Sequence, residues 1–266
     1  MAANKINAET KRKFLTVYIP DTRGVEISRY GRGNLKLGMD GVYTYSRLPG
    51  HPSRQALGAG YADEFVAGLD QMRGTCPGAT EECQAICYAA RPVAEHGAVE
   101  RMWRENSIRE DVPPIPEDCK ILRIHVSGDF TSVDYIRNWY LRLAGRPDVR
   151  AFAYTRSWRV PELLPALQEL HRTPNLQLFA SMDKSTIELP PFGWRRAWMA
   201  DDERLSIIDV EQERNHTVYN HADATEVADI IGMSYTCPEQ TGHKASCAEC
   251  RYCIDGQHND VTFLKH

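Results

Sequence analysis

Seven of the eight cysteines fall into two groups far apart in the chain. Cys76, Cys83 and Cys87 lie in TCPGATEECQAICYA, with six and then three residues between them. Cys237, Cys247, Cys250 and Cys253 lie in TCPEQTGHKASCAECRYC, separated by nine, two and two residues. Three thiolates can hold a cubane iron–sulfur cluster and leave one iron open to a non-protein ligand, whereas four thiolates make a closed site. The expectation is a metalloprotein with one or two 4Fe-4S clusters. Zinc is the alternative at both places. It would be completed by His96 or Cys119 in the first group and held by four cysteines in the second, where Cys247 and Cys250 form a knuckle. Spacing alone leaves iron and zinc nearly balanced at the C-terminal group. Cys119 has no neighbour in sequence and reads as a structural thiol.

The elements that would position these groups alternate between strands and helices. Val42–Arg47 reads as a short strand, and the first cysteine group follows it. A helix is expected from near Cys83, interrupted at Pro92 and continuing through AVERMWRENSIRE. Ile121–Val126 is an apolar run bounded like a buried strand. The helix after it carries Val133, Ile136, Tyr140 and Leu143, with Thr131 or Ser132 as N-cap and Gly145 and Pro147 as stop signals. The unit then repeats. Arg150–Thr155 is a strand, and PELLPALQELHR is a helix with Pro161 in its first turn. Leu176–Met182 is a strand, GWRRAWMADDE a short helix, Arg204–Val210 a strand, and Ile230–Thr236 closes the series before Cys237.

This alternation predicts an α/β protein built as a partial or full parallel β/α barrel or open sheet, with right-handed crossovers. Residues 1–236 are expected to form the barrel-like domain carrying the three-cysteine loop, and residues 237–266 a four-cysteine extension packed on it. In such folds chemistry gathers at the carboxyl ends of the strands. Ser127, Gly128 and Asp129 stand there, as do Thr155, Arg156 and Ser157 in the next unit and Ser181, Met182 and Asp183 in the third. Turn and capping chemistry explains any one of these triplets alone; their placement together with the cysteines favours at least one functional contact.

Composition bounds the function. The chain has 266 residues, 42% of them hydrophobic and 26% charged, enough for one sizeable core. A net charge of -4 and a pI near 6.2 give no general attraction to nucleic acid or anionic membranes. No run reaches membrane-spanning length and the polar start MAANKINAETKRK has no apolar stretch behind it, so a cytoplasmic protein without a membrane partner is expected. In that reducing compartment clustered cysteines serve as metal ligands or catalytic thiols more often than as disulfides. The chain has no Gly-rich dinucleotide fingerprint and no phosphate loop.

TYSRLPG before the first cysteine group, then RIHVSGDF, FAYTRSW, and a late TCPEQ with CAECRYC together resemble the bacteriophage gene product 88 type family, whose members resemble radical S-adenosylmethionine proteins. The resemblance runs from about Val42 to Cys253. It implies that Cys76, Cys83 and Cys87 ligate a 4Fe-4S cluster whose fourth iron is chelated by S-adenosylmethionine. It also implies that Tyr88 packs near the adenine or the cluster and that Ser127, Gly128 and Asp129 occupy the place of the segment contacting the methionine amino group. Thr155, Ser181 and Asp183 join them as candidate cofactor contacts, and Arg156, Asp183 and Arg159 as weaker candidates for substrate. Two departures stand out. The radical enzymes space their cysteines more tightly than this chain does, and Asp129 replaces a glutamate. The implied activity draws an electron from a donor, with the C-terminal cluster as a relay, to act on nucleic acid, a nucleotide or a host protein in the host cytoplasm. Two other classes compete. One is a non-catalytic zinc or iron–sulfur protein that binds nucleic acid or a host factor, on which Trp158, Trp194, Arg195, Arg196 and Trp198 would form an aromatic and basic platform, although helical packing is the preferred account of the tryptophans. The other is a cluster acting as Lewis acid.

Overall fold

A computed structural model describes residues 30–32, 36–38, 40–50, 75–89, 92, 97–107, 109–199, 216–217, 234–256 and 260–263. The strands are β1 (Gly31–Arg32), β2 (Val42–Tyr45), β3 (Ile121–Ile124), β4 (Arg150–Thr155), β5 (Leu176–Met182), β6 (Arg195–Met199), β7 (His216–Thr217), β8 (Ser234–Thr236) and β9 (Asp260–Phe263). The helices are α1 (Glu81–Ala85), α2 (Gly97–Ser107), α3 (Val133–Ala144), α4 (Leu164–His171) and α5 (Cys247–Cys250). One nine-stranded sheet runs in the order β1-β2-β3-β4-β5-β6-β9-β8-β7. Its pairings are parallel from β2 through β8, and the edge strands β1 and β7 are antiparallel. Among the described residues the sheet is open: β1 and β7 end it without pairing to each other.

The central strands are apolar on both sides because both faces are covered, as parallel sheets require. On one face Leu122, Ile124, Ala151, Ala153, Leu176 and Leu178 pack against Trp139 and Leu143 of α3 and Leu167 and Leu170 of α4. Each fully buried leucine or isoleucine among them stabilises the fold by roughly 1.5–3 kcal/mol. On the opposite face Val42, Ile121 and Phe152 meet Ile254, while Phe179, Ala197 and Val261 meet Cys237 and Tyr252. The cysteine-rich segment therefore covers the second face as the helices cover the first. It also returns to the sheet, since β9 lies between β6 and β8.

Local signals account for most boundaries. Ser132 caps α3 by accepting from Tyr135 N at 3.1 Å, and Gly145 ends that helix. Thr131 instead accepts from the Arg47 guanidinium at 2.6 Å. In α4 the first-turn proline is Pro165, and Pro161 lies in the preceding turn, which corrects the expectation for that residue. The expected helix GWRRAWMADDE is also corrected, because Arg195–Met199 is strand β6. The deciding partner is Asp260 on β9, distant in sequence. It accepts from Arg196 N at 2.8 Å and Trp198 Nε1 at 3.2 Å and lies 2.6 Å from Arg196 Nε, so the alternate residues 196 and 198 share one carboxylate. The strand expected at Arg204–Val210 lies outside the described residues, as does Ile230–Met233; Ser234–Thr236 is β8.

Asp260→Ala removes the carboxylate facing a buried guanidinium and is expected to destabilise the protein by about 3–5 kcal/mol, measured by urea unfolding, with Asp260→Asn losing less because it retains an acceptor.

Candidate functional site

The first cysteine group lies at the carboxyl ends of the strands and is laid onto them by close backbone contacts. Past the end of β2, Arg47 N donates to Ser127 O at 2.9 Å, so the chain ends of β2 and β3 stay paired beyond the strands. Gly128 has φ +77°, and a Cβ there would lie 2.5 Å from Thr75 Oγ1 and 2.7 Å from Arg47 Cβ. Only glycine lets the cysteine segment cross at this point. Thr75 donates to Leu48 O at 2.5 Å, and Gly50 N donates to the Cys76 sulfur at 3.2 Å. Farther along, Gly78 lies directly against the Arg156 backbone and its carbonyl accepts from Arg159 at 3.3 Å.

Cys83 is placed by the cap of its own short helix. Thr80 Oγ1 accepts from Cys83 N at 3.0 Å and donates to Asp183 at 2.6 Å. Asp183, wholly buried, also accepts from Ser185 N, Ser185 Oγ and Thr186 Oγ1 at 3.0, 2.7 and 3.1 Å, and lies 2.7 Å from the Arg156 guanidinium. The Arg156 contact is an ion pair rather than a well-aligned hydrogen bond. Burial pushes the Asp183 carboxyl up, but Arg156 and the donors around it outweigh burial and hold it below the usual carboxylate range.

Asp129 clasps two loops together. One oxygen accepts from Phe130 N at 2.8 Å and Thr155 Oγ1 at 2.6 Å, the other from Arg156 N at 2.8 Å and Ser157 N at 3.1 Å. All four acceptor positions of the carboxylate are filled from within the chain. Burial pushes this carboxyl up, partly offset by those donors. The Ser127 hydroxyl is different: it is buried and makes no hydrogen bond among the described residues. Tyr88 donates to Val126 O and leaves about half of its surface exposed (52%) beside Cys87. Ser181 contributes its carbonyl, which accepts from Trp158 Nε1 at 3.4 Å. The structure thus gathers Cys76, Cys83, Cys87, Ser127, Gly128, Asp129, Thr155 and Asp183 at one rim.

Burial raises the thiols of Cys76 and Cys83. Asp129 adds to it at Cys76, while Arg156 opposes it at Cys83; Cys83 and Cys87 further raise Cys76 through mutual repulsion. The second group lies on the sheet face away from α3 and α4. Cys237 follows β8, and α5 is anchored by Cys247 N and Ala248 N donating to Lys36 O and Leu37 O at 2.8 and 2.9 Å. Ser246 caps α5, and Arg251 closes it in the left-handed region at φ 58°. Burial pushes the Cys247 thiol up to about 11 and the Cys253 thiol up to about 12. All eight cysteines are free of disulfides. Among the described residues no three His, Cys, Asp or Glu side chains stand close enough together to hold a single metal ion. Cys119 lies apart, buried on the helix-covered face, with burial pushing its thiol up to about 12.

Three residues that sequence reasoning passed over take part. Buried Arg47 donates to the carbonyls of Asn106, Ser107 and Arg109 at 3.1, 2.6 and 3.0 Å and so closes the end of α2, where a cation suits the helix dipole. His125 has φ 61° and its Nε2 lies 2.8 Å from Tyr135 Oη; burial, then Arg47, pushes its pKa well down. Arg123 projects from the middle of β3 toward Tyr154, 5.4 Å from its ring centre. The tryptophans pack in the interior, the preferred account, rather than forming a stacking platform: Trp158, Trp194, Arg196 and Trp198 are buried, Trp194 stacks on His171 at 4.7 Å, and Arg195 lies over Phe179 at 4.2 Å.

Fold and rim together define an open parallel β/α protein with cysteines at the carboxyl ends of its strands and a second cysteine group against the sheet. Residues 101–256 match the Gene product 88 family, more than half of the chain, and the chain belongs to that family. It is 27% identical over 222 residues to the Gene 88 protein of Mycobacterium phage L5, covering 72% of this chain and 83% of that protein. It is 25% identical over 211 residues to the Gene 88 protein of Mycobacterium phage D29, covering 71% and 82%. No solved structure matches the chain. Among the described residues no helix is long and apolar enough to cross a membrane.

Gly128→Ala is expected to lower stability by about 2–4 kcal/mol, from left-handed strain and overpacking, and to speed labelling of Cys76 by a thiol reagent. Asp183 yields a pH prediction. Its folded-state pKa is depressed, so its contribution is fully present above the unfolded value of about 3.9 and is lost as pH falls through the lower folded value. Asp183→Asn should therefore show a shallower loss of stability below about pH 4 than the parent, followed by denaturant unfolding at stepped pH.

Proposed function

We propose that this protein is an iron–sulfur protein and a radical S-adenosylmethionine-like enzyme, with an open 4Fe-4S cluster on Cys76, Cys83 and Cys87 and a second cluster on Cys237, Cys247, Cys250 and Cys253. One observation carries the proposal: the three-cysteine segment lies across the carboxyl ends of an open parallel sheet, tied to the loops after β2, β3, β4 and β5. The thiols of Cys76, Cys83 and Cys87 are free and half-buried, but among the described residues no three stand close enough to hold a single metal ion, so a cluster would have to draw them together and displace protons that burial holds on Cys76 and Cys83. When bound, such a cluster supplies one electron at an iron with room for a non-protein ligand.

The chain's own residues do the positioning. Thr80, Asp183 and Arg156 hold the start of α1 and with it Cys83. Asp129 sets the loops after β3 and β4 and has no acceptor position left for a ligand, so it is a positioning residue. The unused Ser127 hydroxyl is the group at this rim suited to an amino or carboxylate ligand. Tyr88 flanks the site with an exposed ring. The reaction draws on an external electron donor in the host cytoplasm.

Oxygen-free purification with assay of iron, sulfide and zinc, and electron paramagnetic resonance of the reduced protein, tests the proposal. Iron and sulfide for two clusters are expected, with one signal altered by S-adenosylmethionine and the same signal lost in Cys87→Ser. Zinc alone would overturn the proposal in favour of a non-catalytic binding protein, and clusters indifferent to S-adenosylmethionine would remove the radical chemistry.

A further inference from the structure

We infer that the crossover from β5 to β6 is a docking segment for a polypeptide partner that offers an uncharged, apolar groove. The two strands are parallel, so the chain must return from the carboxyl end of one to the amino end of the other. A helix usually makes that return and buries its apolar side on the sheet. Here residues 183–194 make it without a helix. The large apolar side chains that a helix would turn inward face solvent instead: Ile187 is 83% exposed, Leu189 about half, and Phe192 wholly. Single exposed apolar residues are ordinary, but these three lie close together along one segment, with Pro190 and Pro191 between them, and make a patch of the kind that marks an interaction site.

The segment is fastened along its length. At its start Thr186 N donates to Asp183 O at 2.9 Å, and the Asp183 carboxylate accepts from Ser185 N and Thr186 Oγ1 at 3.0 and 3.1 Å. In its middle Glu188 accepts from both Nε and Nη2 of Arg159, at 3.1 and 2.8 Å. At its end Trp194 N donates to Pro191 O at 3.2 Å, and Trp194 stacks on His171. Phe192 and Gly193 are therefore the central pair of a tight turn, and φ +82° at Gly193 suits the second central position of a type II turn. Phe192 stands at a fixed corner, so little ordering entropy opposes its burial by a partner.

Charge selects the kind of partner. The cations at the start and middle of the segment are matched to carboxylates of the chain: Arg156 to Asp183 at 2.7 Å, Arg159 to Glu188 at 2.8 Å and Lys184 to Glu82 at 3.4 Å. Nucleic acid and anionic lipid are held chiefly by Lys and Arg on phosphate, and these cations are already engaged. An uncharged apolar groove complements the patch and disturbs none of the ion pairs. Ile187 and Leu189, two residues apart, followed by a proline pair, form the extended pattern that grooves in proteins accept. The surface involves none of the cysteines.

The test selects a yeast-displayed library of random peptides on the full chain and measures the enriched peptides, made synthetically, by fluorescence anisotropy. Peptides rich in apolar and aromatic residues are expected. Phe192→Ser should weaken their binding by roughly 10-fold or more, as loss of an aromatic anchor does, while Phe192→Leu should stay within a few fold of the parent. Thermal unfolding of Phe192→Ser should match the parent, because the side chain is wholly exposed. No enrichment, or peptides that bind the parent and Phe192→Ser equally, would overturn the inference. A Phe192→Ser protein that unfolds at lower temperature would also overturn it, since the ring is then covered within the chain. Two further results replace the partner and overturn the inference: concentration-dependent association of the parent in sedimentation equilibrium that Phe192→Ser abolishes, which makes the occupant a second copy, and Phe192-dependent binding of a single-stranded oligonucleotide or of phosphatidylserine vesicles.

Discussion

A single buried carboxylate joins the cysteine loop to the sheet. Asp183 follows β5, yet it holds the Thr80 hydroxyl that caps α1 and the Arg156 guanidinium that follows β4. Thr80 in turn fixes the amide of Cys83. Without that carboxylate, a five-residue helix too short to be stable alone would lose its buried anchor on the strand ends and keep only more exposed ties such as the Lys184–Glu82 ion pair. Asp129 does the same for the neighbouring loops through four donors on two oxygens. The rim is thus organised by buried anions that are hydrogen-bonded within the protein, a condition under which buried charge is tolerated.

The two cysteine groups relate differently to the sheet. The first lies across strand ends, where backbones approach so closely that Gly128 and Gly78 leave no space for a side chain. The second packs against the sheet face away from α3 and α4. Ile254, Tyr252 and the cysteines themselves contribute apolar surface to the interior. Because β9 then inserts between β6 and β8, the segment that carries the last cysteines is clamped at both ends. Metal chemistry there would act on the stability of the sheet as a whole, as metal binding and folding are coupled wherever ligands also pack a core.

Much of this was legible in the sequence. The boundaries of β4 and β5 follow from their apolar runs, α3 from its Ser132 cap and Gly145 stop, and the rim position of Cys76, Cys83 and Cys87 from the rule that loops at the carboxyl ends of parallel strands carry chemistry. The role of Asp129 was not legible, because three of its four donors come from residues 26 to 28 positions further along, and a carboxylate at a strand end looks the same whether it faces a ligand or a neighbouring loop. Strand β6 was misread as helix for a related reason: Trp194, Arg195, Arg196 and Trp198 carry no period-two apolar pattern, and the alternation appears only when Asp260 is set opposite Arg196 and Trp198.

By itself the sequence determined the alternating strand and helix units, the two cysteine groups and their separation, since these depend on local periodicity, caps and spacing. The tertiary structure alone decided which face the C-terminal group covers, that β9 inserts between β6 and β8, and that Arg123 lies over the Tyr154 ring. Each of these depends on contacts between residues far apart in the chain, and no local pattern records which distant side chain will neutralise a charge or fill an acceptor.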